Sequence, residues 1–349
     1  MSLETLSTLV KRHGPRLLSK ANVVGVGAGY KETGGRRTDT EALVVLVTRK
    51  VHPARLRRSD LVPRSLAQVK TDVVEVGELR ILPALGPVPS LGPERDRTVR
   101  VRPAPPGVSV GHYQVTAGTF GALVYDAETR TPMILSNNHV LANITDGRDG
   151  RAAVGDPVYQ PGRYDGGGQA DTIAHLERFV PIVRAAGEET CPIARQAERI
   201  ANRVMRWVFP GHRLSFYRWS SASNKVDAAV AVLVSPEDAT DEILGLGRVE
   251  GTAKATPGMR VVKSGRTTGV TRGEVKVVGA LVKVGLGDVG YALFSDQIIT
   301  TAMAQPGDSG SLVLTEEGHQ AVGLLSAGSA QASVLSSIVN VLEMLKVTF

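Results

Sequence analysis

Near the C-terminal end of the chain a serine stands between glycines, in Gly307-Asp308-Ser309-Gly310-Ser311. A serine hydroxyl holds its proton at neutral pH and becomes a nucleophile only beside a base. Flanking glycines allow a tight bend and the close approach of a carbonyl. In such a bend the amides of Gly307 and Ser309 can converge on one point as an oxyanion hole. The same residues also suit an Asx turn between two strands, so the reading depends on a base, an acid and a frame elsewhere.

Imidazole is the natural base because its pKa lies near neutrality. Of the seven histidines, His13, His52, His112, His212 and His319 sit among turn or charged residues. His175 lies on a strand-like run, which suggests a structural role. His139 ends the run Met133-Ile-Leu-Ser-Asn-Asn-His, where a strand gives way to a turn. The acid that orients such a base should be short, poorly solvated and carried by an apolar strand. Asp227, in Val226-Asp-Ala-Ala-Val-Ala-Val-Leu233, meets that description, because an unpaired carboxylate among these neighbours would be costly to bury. Its rivals Asp156, Asp165 and Asp171 occur in a Gly-Asp-Pro turn, a glycine-rich loop and a polar strand start.

The elements that would position these groups are mainly strands. From Val108 onward short β-branched runs recur between turn signals, which points to an antiparallel barrel or a pair of barrels. Residues 1–82 read as a small α/β module: an amphipathic helix broken near Gly14-Pro15, strands at Asn22–Tyr30, Glu41–Thr48 and Thr71–Glu78, and a helix within 53–70. Residues 83–107, rich in proline and arginine, read as a linker. Two helices interrupt the β pattern, at 191–209 and 333–347, the second with Ser333 as N-cap. Either could dock on a core or form a homo-oligomer contact.

Four motifs beyond the serine carry a family resemblance. Leu135-Ser-Asn-Asn-His-Val-Leu141, Val226-Asp-Ala-Ala-Val and Gly307-Asp-Ser-Gly look like the histidine, aspartate and serine motifs of chymotrypsin-like serine peptidases, in that family's order. Val262-Lys-Ser-Gly-Arg-Thr-Thr-Gly269 and Leu325-Ser-Ala-Gly328 are similar to runs of the bacterial branch that contains α-lytic protease and the streptogrisins. The resemblance covers about Val108 to the C-terminus. The whole chain also resembles bacterial relatives of the plant narrow-leaf trypsin-like proteins. A Gly-x-Ser-x-Gly elbow of the α/β-hydrolase kind does not fit, because Ser311 stands fifth and a strand follows.

The resemblance implies a mostly β, chymotrypsin-like double antiparallel β-barrel over 108–349, with the small N-terminal α/β module, a C-terminal helix and a helical insertion at about 178–225. It implies a serine endopeptidase with His139, Asp227 and Ser309 catalytic and an acyl-enzyme intermediate. It further implies that Arg266 pairs with the inward-pointing Asp308, so that no N-terminal cut is needed. Ser326 would donate to Asp227, and Ala327 and Gly328 would line the substrate strand. Met303, six residues before the serine, implies a neutral or apolar residue on the acyl side of the cut bond, the P1 position. The chain departs from its relatives at Ser311, where most carry glycine, and in the insertion.

Composition narrows the remaining classes. With 42% hydrophobic and 21% charged residues, the 349-residue chain reads as an ordinary globular protein of two or three domains. One cysteine excludes an internal disulfide framework and, with no signal-like N-terminus, leads to the expectation of a cytoplasmic protein. No apolar run is long enough for a membrane span. The charge of +7 is scattered and not interleaved with aromatics, which disfavours nucleic-acid binding. No cofactor is implied, and no cluster has metal-ligand spacing. The expected partner is a protein or peptide substrate. The alternative is a catalytically silent trypsin-like fold serving as a binding or assembly module.

Overall fold

The structure, a computed structural model, describes residues 3–34, 36–82, 96–188, 196–197, 199–203, 205, 217–219 and 222–349. At the N-terminus, helix α1 (Leu3–Leu18) buries Leu6, Val10 and Leu17 against strands β1 (Val23–Thr33) and β2 (Arg36–Val47). The expected break at Gly14-Pro15 does not occur. Gly14 lies where a Cβ would stand 3.1 Å from the Leu281 side chain, so this close contact holds the last turn in place. Strand β3 (Val69–Glu75) joins β2 in parallel, and the short β4 (Arg80–Ile81) follows. The helix expected within 53–70 is only two 3₁₀ turns, Pro53–Arg55 and Arg58–Asp60. Proline at the first position of one, with Pro63 beyond the other, keeps both short.

The first barrel consists of β5 (Ser109–His112), β6 (Ala122–Asp126), β7 (Pro132–Ser136), β8 (Pro157–Tyr159), β9 (Thr172–Phe179) and β10 (Ala229–Leu233). They pair in the order β6-β7-β10-β9-β8-β5. Gly118–Thr119, just ahead of β6, pairs back to β5 and closes the ring. The second barrel consists of β11 (Arg260–Gly265), β12 (Gly269–Gly285), β13 (Tyr291–Thr301), β14 (Leu312–Thr315), β15 (Ala321–Gly328) and β16 (Ala332–Ser337). Antiparallel ladders run β11-β12-β13-β16-β15-β14 and return to β11, a closed six-stranded ring. This is the chymotrypsin-like double barrel expected from the motifs. Leu135 and Val230 of the first barrel meet Leu312 and Leu324 of the second in one apolar cluster.

The C-terminal helix is shorter than its sequence suggests. Residues from Ala332 to Ser337 form β16, and α3 (Ile338–Leu345) begins after Ser337, not Ser333. A strand with partners on both sides satisfies every backbone group, which outweighs the helical spacing of Leu335 and Ile338. The apolar face of α3 (Ile338, Val341, Leu345) is buried in the cluster between the barrels. The helix expected at 191–209 lies for the most part outside the described residues. Within the insertion, Ala186–Glu188 pairs with Tyr217–Trp219 as a two-stranded ribbon.

The N-terminal module is not a separate body. Strand β1 pairs antiparallel with β12, so β2, β1 and the second barrel share one continuous sheet. Residues 83–95 of the expected linker lie outside the described residues. From Asp96 the chain is docked: Arg97 Nη1 donates to the Ser264 hydroxyl at 2.7 Å and to the Gly107 carbonyl at 3.0 Å, and Ala104 is fully buried. Contact between β1 and β12 is close because Gly27 has no side chain. A Cβ there would collide with Val277 and stand 3.0 Å from that of Ala280. Gly27→Val is therefore expected to cost about 1–3 kcal/mol, read as a lower denaturant midpoint. An unchanged midpoint would show that the seam between module and barrel is loose.

Candidate active site

His139 lies on α2 (Asn138–Leu141), a single helical turn that follows β7 directly. Asp227 stands two residues before β10, the neighbour of β7 in the first barrel. Adjacent strands thus deliver both side chains to one place. Nδ1 of His139 and Oδ2 of Asp227 are 2.5 Å apart, and the His139 amide donates to Oδ1 at 3.2 Å. With the carboxylate as acceptor, Nδ1 carries the proton and Nε2 is left as the ring's acceptor. Asn137 donates to the Asp227 carbonyl at 2.7 Å, and the Asp227 amide donates to the Ser336 hydroxyl at 3.1 Å. A fully buried aspartate is therefore held on all sides.

Ser309 arrives from the second barrel, in the bend before β14. Thr119 joins this bend to the first barrel. Its amide donates to the Ser309 carbonyl at 2.8 Å, its hydroxyl to the Gly307 carbonyl at 2.9 Å, and that hydroxyl accepts from the Arg266 amide at 3.0 Å. Gly118 marks how near the parts lie. A Cβ on it would be 3.0 Å from the Ser309 carbonyl and 2.5 Å from Val140, the residue after His139. Ser309 Oγ and His139 Nε2 are both buried and, among the described residues, have no hydrogen-bond partner, each other included. Gly307 (φ 99°) and Gly310 (φ 90°) bend the backbone on either side of the serine in the region that favours glycine.

Asp308 points inward, as expected, but its cation is not Arg266. Lys263 Nζ lies 3.1 Å from Asp308 Oδ2, with both side chains wholly buried. Four more donors complete the carboxylate's shell: the Thr267, Thr268 and Gln305 amides and the Thr268 hydroxyl. Burial pushes the Lys263 ammonium below its usual pKa, and Asp308 opposes that shift. Arg266 makes a two-pronged pair with Asp165 instead, through Nε at 2.8 Å and Nη2. The reason is steric and topological: the arginine lies along the back of Gly307, beside the loop that carries Asp165. Sequence reading missed Lys263 and Thr119. The one hint in the sequence was a lysine within the strand-like run Val261-Val-Lys-Ser264, too weak to choose it over Arg266.

Ser326 does not reach Asp227. The ladder between β15 and β16 shifts register between Leu325 and Ala327, which turns the Ser326 hydroxyl onto the Val334 carbonyl at 3.3 Å. Ala327 and Gly328 lie on β15 as expected, and Met303 lines a neighbouring cavity of about 960 Å³. Ser311, the unusual residue after the motif, donates to the Asp308 carbonyl at 2.6 Å. Gly265 makes room for it, since a Cβ there would stand 2.6 Å from the Ser311 hydroxyl. The rival aspartates all have other partners: Asp156 with His112 at 3.0 Å, Asp165 with Arg266, and Asp171 with Arg100 at 3.2 Å.

No family model matches the chain. It is 44% identical over 79 residues to streptogrisin-D from Streptomyces griseus, covering 23% of this chain and 19% of that protein. It is 36% identical over 121 residues to serine protease 2 from Streptomyces fradiae, covering 35% and 60%. Over these stretches the chain is similar to streptogrisin-like serine peptidases. It spans less than two thirds of the length of either curated relative. Among solved structures it is similar to the Nocardiopsis protease NAPase (TM-score 0.42, 18% identity, 70% of this chain and 96% of that one). It is also similar to Thermobifida fusca protease A (TM-score 0.43, 17% identity, 70% and 96%). Among the described residues no group of three or more His, Cys, Asp or Glu side chains could hold a metal ion, and no helix is long and apolar enough to cross a membrane.

Two expectations follow. Lys263→Met leaves a buried carboxylate without its cation, a loss of about 3–5 kcal/mol. In double-mutant cycles Lys263 should couple to Asp308 more strongly than Arg266 does, and the reverse order would restore the arginine pairing. His112 is fully buried on β5, and burial lowers its pKa below the usual 6.5 against the opposing pull of Asp156. The unfolded chain then binds more protons just below pH 6.5, so stability falls as pH drops from 6.5 toward the folded value. His112→Gln should flatten that fall in urea midpoints measured at pH 7.5 and 5.5.

Proposed function

We propose that the chain is a serine endopeptidase. Ser309 attacks the scissile carbonyl and His139 takes its proton through Nε2. Asp227 holds the ring's tautomer and stabilises the imidazolium that forms. His139 then protonates the leaving amine, and water hydrolyses the acyl-enzyme by the same steps in reverse. The amides of Gly307 and Ser309 face the oxyanion. The observation that carries this reading is the buried 2.5 Å contact between His139 and Asp227, with Nε2 of that ring and the Ser309 hydroxyl both unpartnered among the described residues. The similarity to streptogrisin-D and to serine protease 2 supports it.

The cavity beside β15 is lined in part by Met303, Val270, Ala302 and Ala304, with Glu78, Arg80 and Arg272 also on its wall. The apolar part of that lining, which includes Met303, supports a neutral, apolar P1 residue. The continuity of the N-terminal module with the second barrel supports a regulatory role for it. A silent binding module would keep the His139–Asp227 pair without a nucleophilic serine, and labelling of Ser309 separates the two readings.

Prolonged incubation with a fluorophosphonate probe should yield one adduct per chain, mapped to Ser309 by mass spectrometry. Ser309→Ala should give none, and Asp227→Asn should slow labelling on the order of 10⁴-fold, as expected for a histidine left in the wrong tautomer. A peptide library should favour aliphatic residues at P1. Folded protein that never labels would overturn the assignment, and a profile dominated by Lys or Arg would overturn the P1 reading.

A further inference from the structure

Strand β4 lies where an incoming peptide would lie. Arg80 pairs with Gly328 and Ile81 with Ala327, antiparallel, along the end of β15 next to the serine bend. One residue on, the carbonyl of Leu82 accepts a hydrogen bond from the Gly307 amide at 2.8 Å. That amide is one of the two donors assigned to the oxyanion, and 2.8 Å is the distance such a donor keeps to the oxygen it stabilises. The Leu82 side chain is 9% exposed and lines the cavity with Met303 and Val270. Its Cδ1 lies 3.4 Å from where a Cβ on Gly328 would stand.

We propose that Arg80-Ile81-Leu82 is an internal occupant of the substrate groove, with Leu82 in the P1 position. The inference rests on the peptidase reading above and extends it to the identity of a bound sequence. Three kinds of contact fix the register together: two residues of strand addition, one carbonyl on an oxyanion donor, and one aliphatic side chain on the wall of the cavity that Met303 lines. Extended peptides gain affinity from just such main-chain pairing, with specificity from alternate side-chain pockets. The groove therefore holds an aliphatic residue at P1, a β-branched one before it and a cation before that. This is the class of peptide it should accept from outside.

The segment is anchored upstream as well. Leu79 is buried and its carbonyl accepts the Gly285 amide at 2.9 Å, while the Ser329 hydroxyl donates to the Val76 carbonyl. Downstream the next residue is Pro83, whose nitrogen carries a ring carbon in place of hydrogen and adds bulk at the bond beside the bound carbonyl.

The test compares wild type with Leu82→Asp, which puts a charge where a largely buried aliphatic side chain sits, and with Leu82→Met, which keeps the fit. Leu82→Asp should label with the fluorophosphonate at least about tenfold faster than wild type, and Leu82→Met should stay near the wild-type rate. Equal rates for all three would overturn the occupant. Amide hydrogen exchange at Leu79–Leu82 and Gly307 supplies a readout that needs no chemistry. Protection in wild type that is lost in Leu82→Asp supports occupancy, and unchanged exchange overturns it. If Leu82→Asp never labels yet exchange rises as expected, the occupant stands and the peptidase assignment falls.

Discussion

The geometry around Ser309 depends on an ammonium and a carboxylate that have both been withdrawn from water. Asp308 precedes the serine, and its side chain is turned into the protein, away from the groove. Without a cation there, the cost of burying it would drive the bend open, and the amides of Gly307 and Ser309 would no longer share a direction. Lys263 removes that cost from within the second barrel, and the Thr267, Thr268 and Gln305 amides spread the charge further. The pair adds little net stability by the usual balance of attraction against desolvation. Its contribution is to make one conformation of the bend much cheaper than any other.

Thr119 extends that order across the barrel boundary. Through amide and hydroxyl it touches Ser309, Gly307 and Arg266, while its own carbonyl accepts the hydroxyl of Ser136, three residues ahead of His139. The histidine and the serine come from different barrels, so their separation depends on how the barrels meet. A threonine bonded to both sides, over an apolar interface that includes Leu135 and Leu324, keeps that separation constant. Arg266 reinforces the same junction through Asp165, which also accepts the Ser109 hydroxyl of β5.

The pairing of His139 with Asp227 and the bend that carries Ser309 were legible because each sits in a short motif whose neighbours dictate its local geometry. The strands were legible from β-branched runs between glycines. Choosing Arg266 over Lys263 for Asp308 could not be corrected from sequence, because both stand within one short run and only the register of β11 against β14 decides which faces inward. Ser326 failed for a related reason, a register shift invisible to period-two counting. The 333–347 helix failed because strand pairing on two sides overrode a helical apolar spacing. The seam between β1 and β12 had only its glycines as a signal, and these read equally well as turn residues.

That seam has a kinetic meaning. A segment carried on a strand already zipped to the barrel returns to its groove as an intramolecular event, at an effective concentration in the millimolar range or above. A peptide from outside meets only the fraction of molecules in which the groove is open, so its apparent affinity falls by that fraction. Weakly held sequences are thereby turned away, while a peptide that outbids Arg80-Ile81-Leu82 gains entry. With the proposed occupant in place, the N-terminal strands would set a threshold, and selectivity would come from how well a newcomer competes with a resident as much as from the walls of the groove.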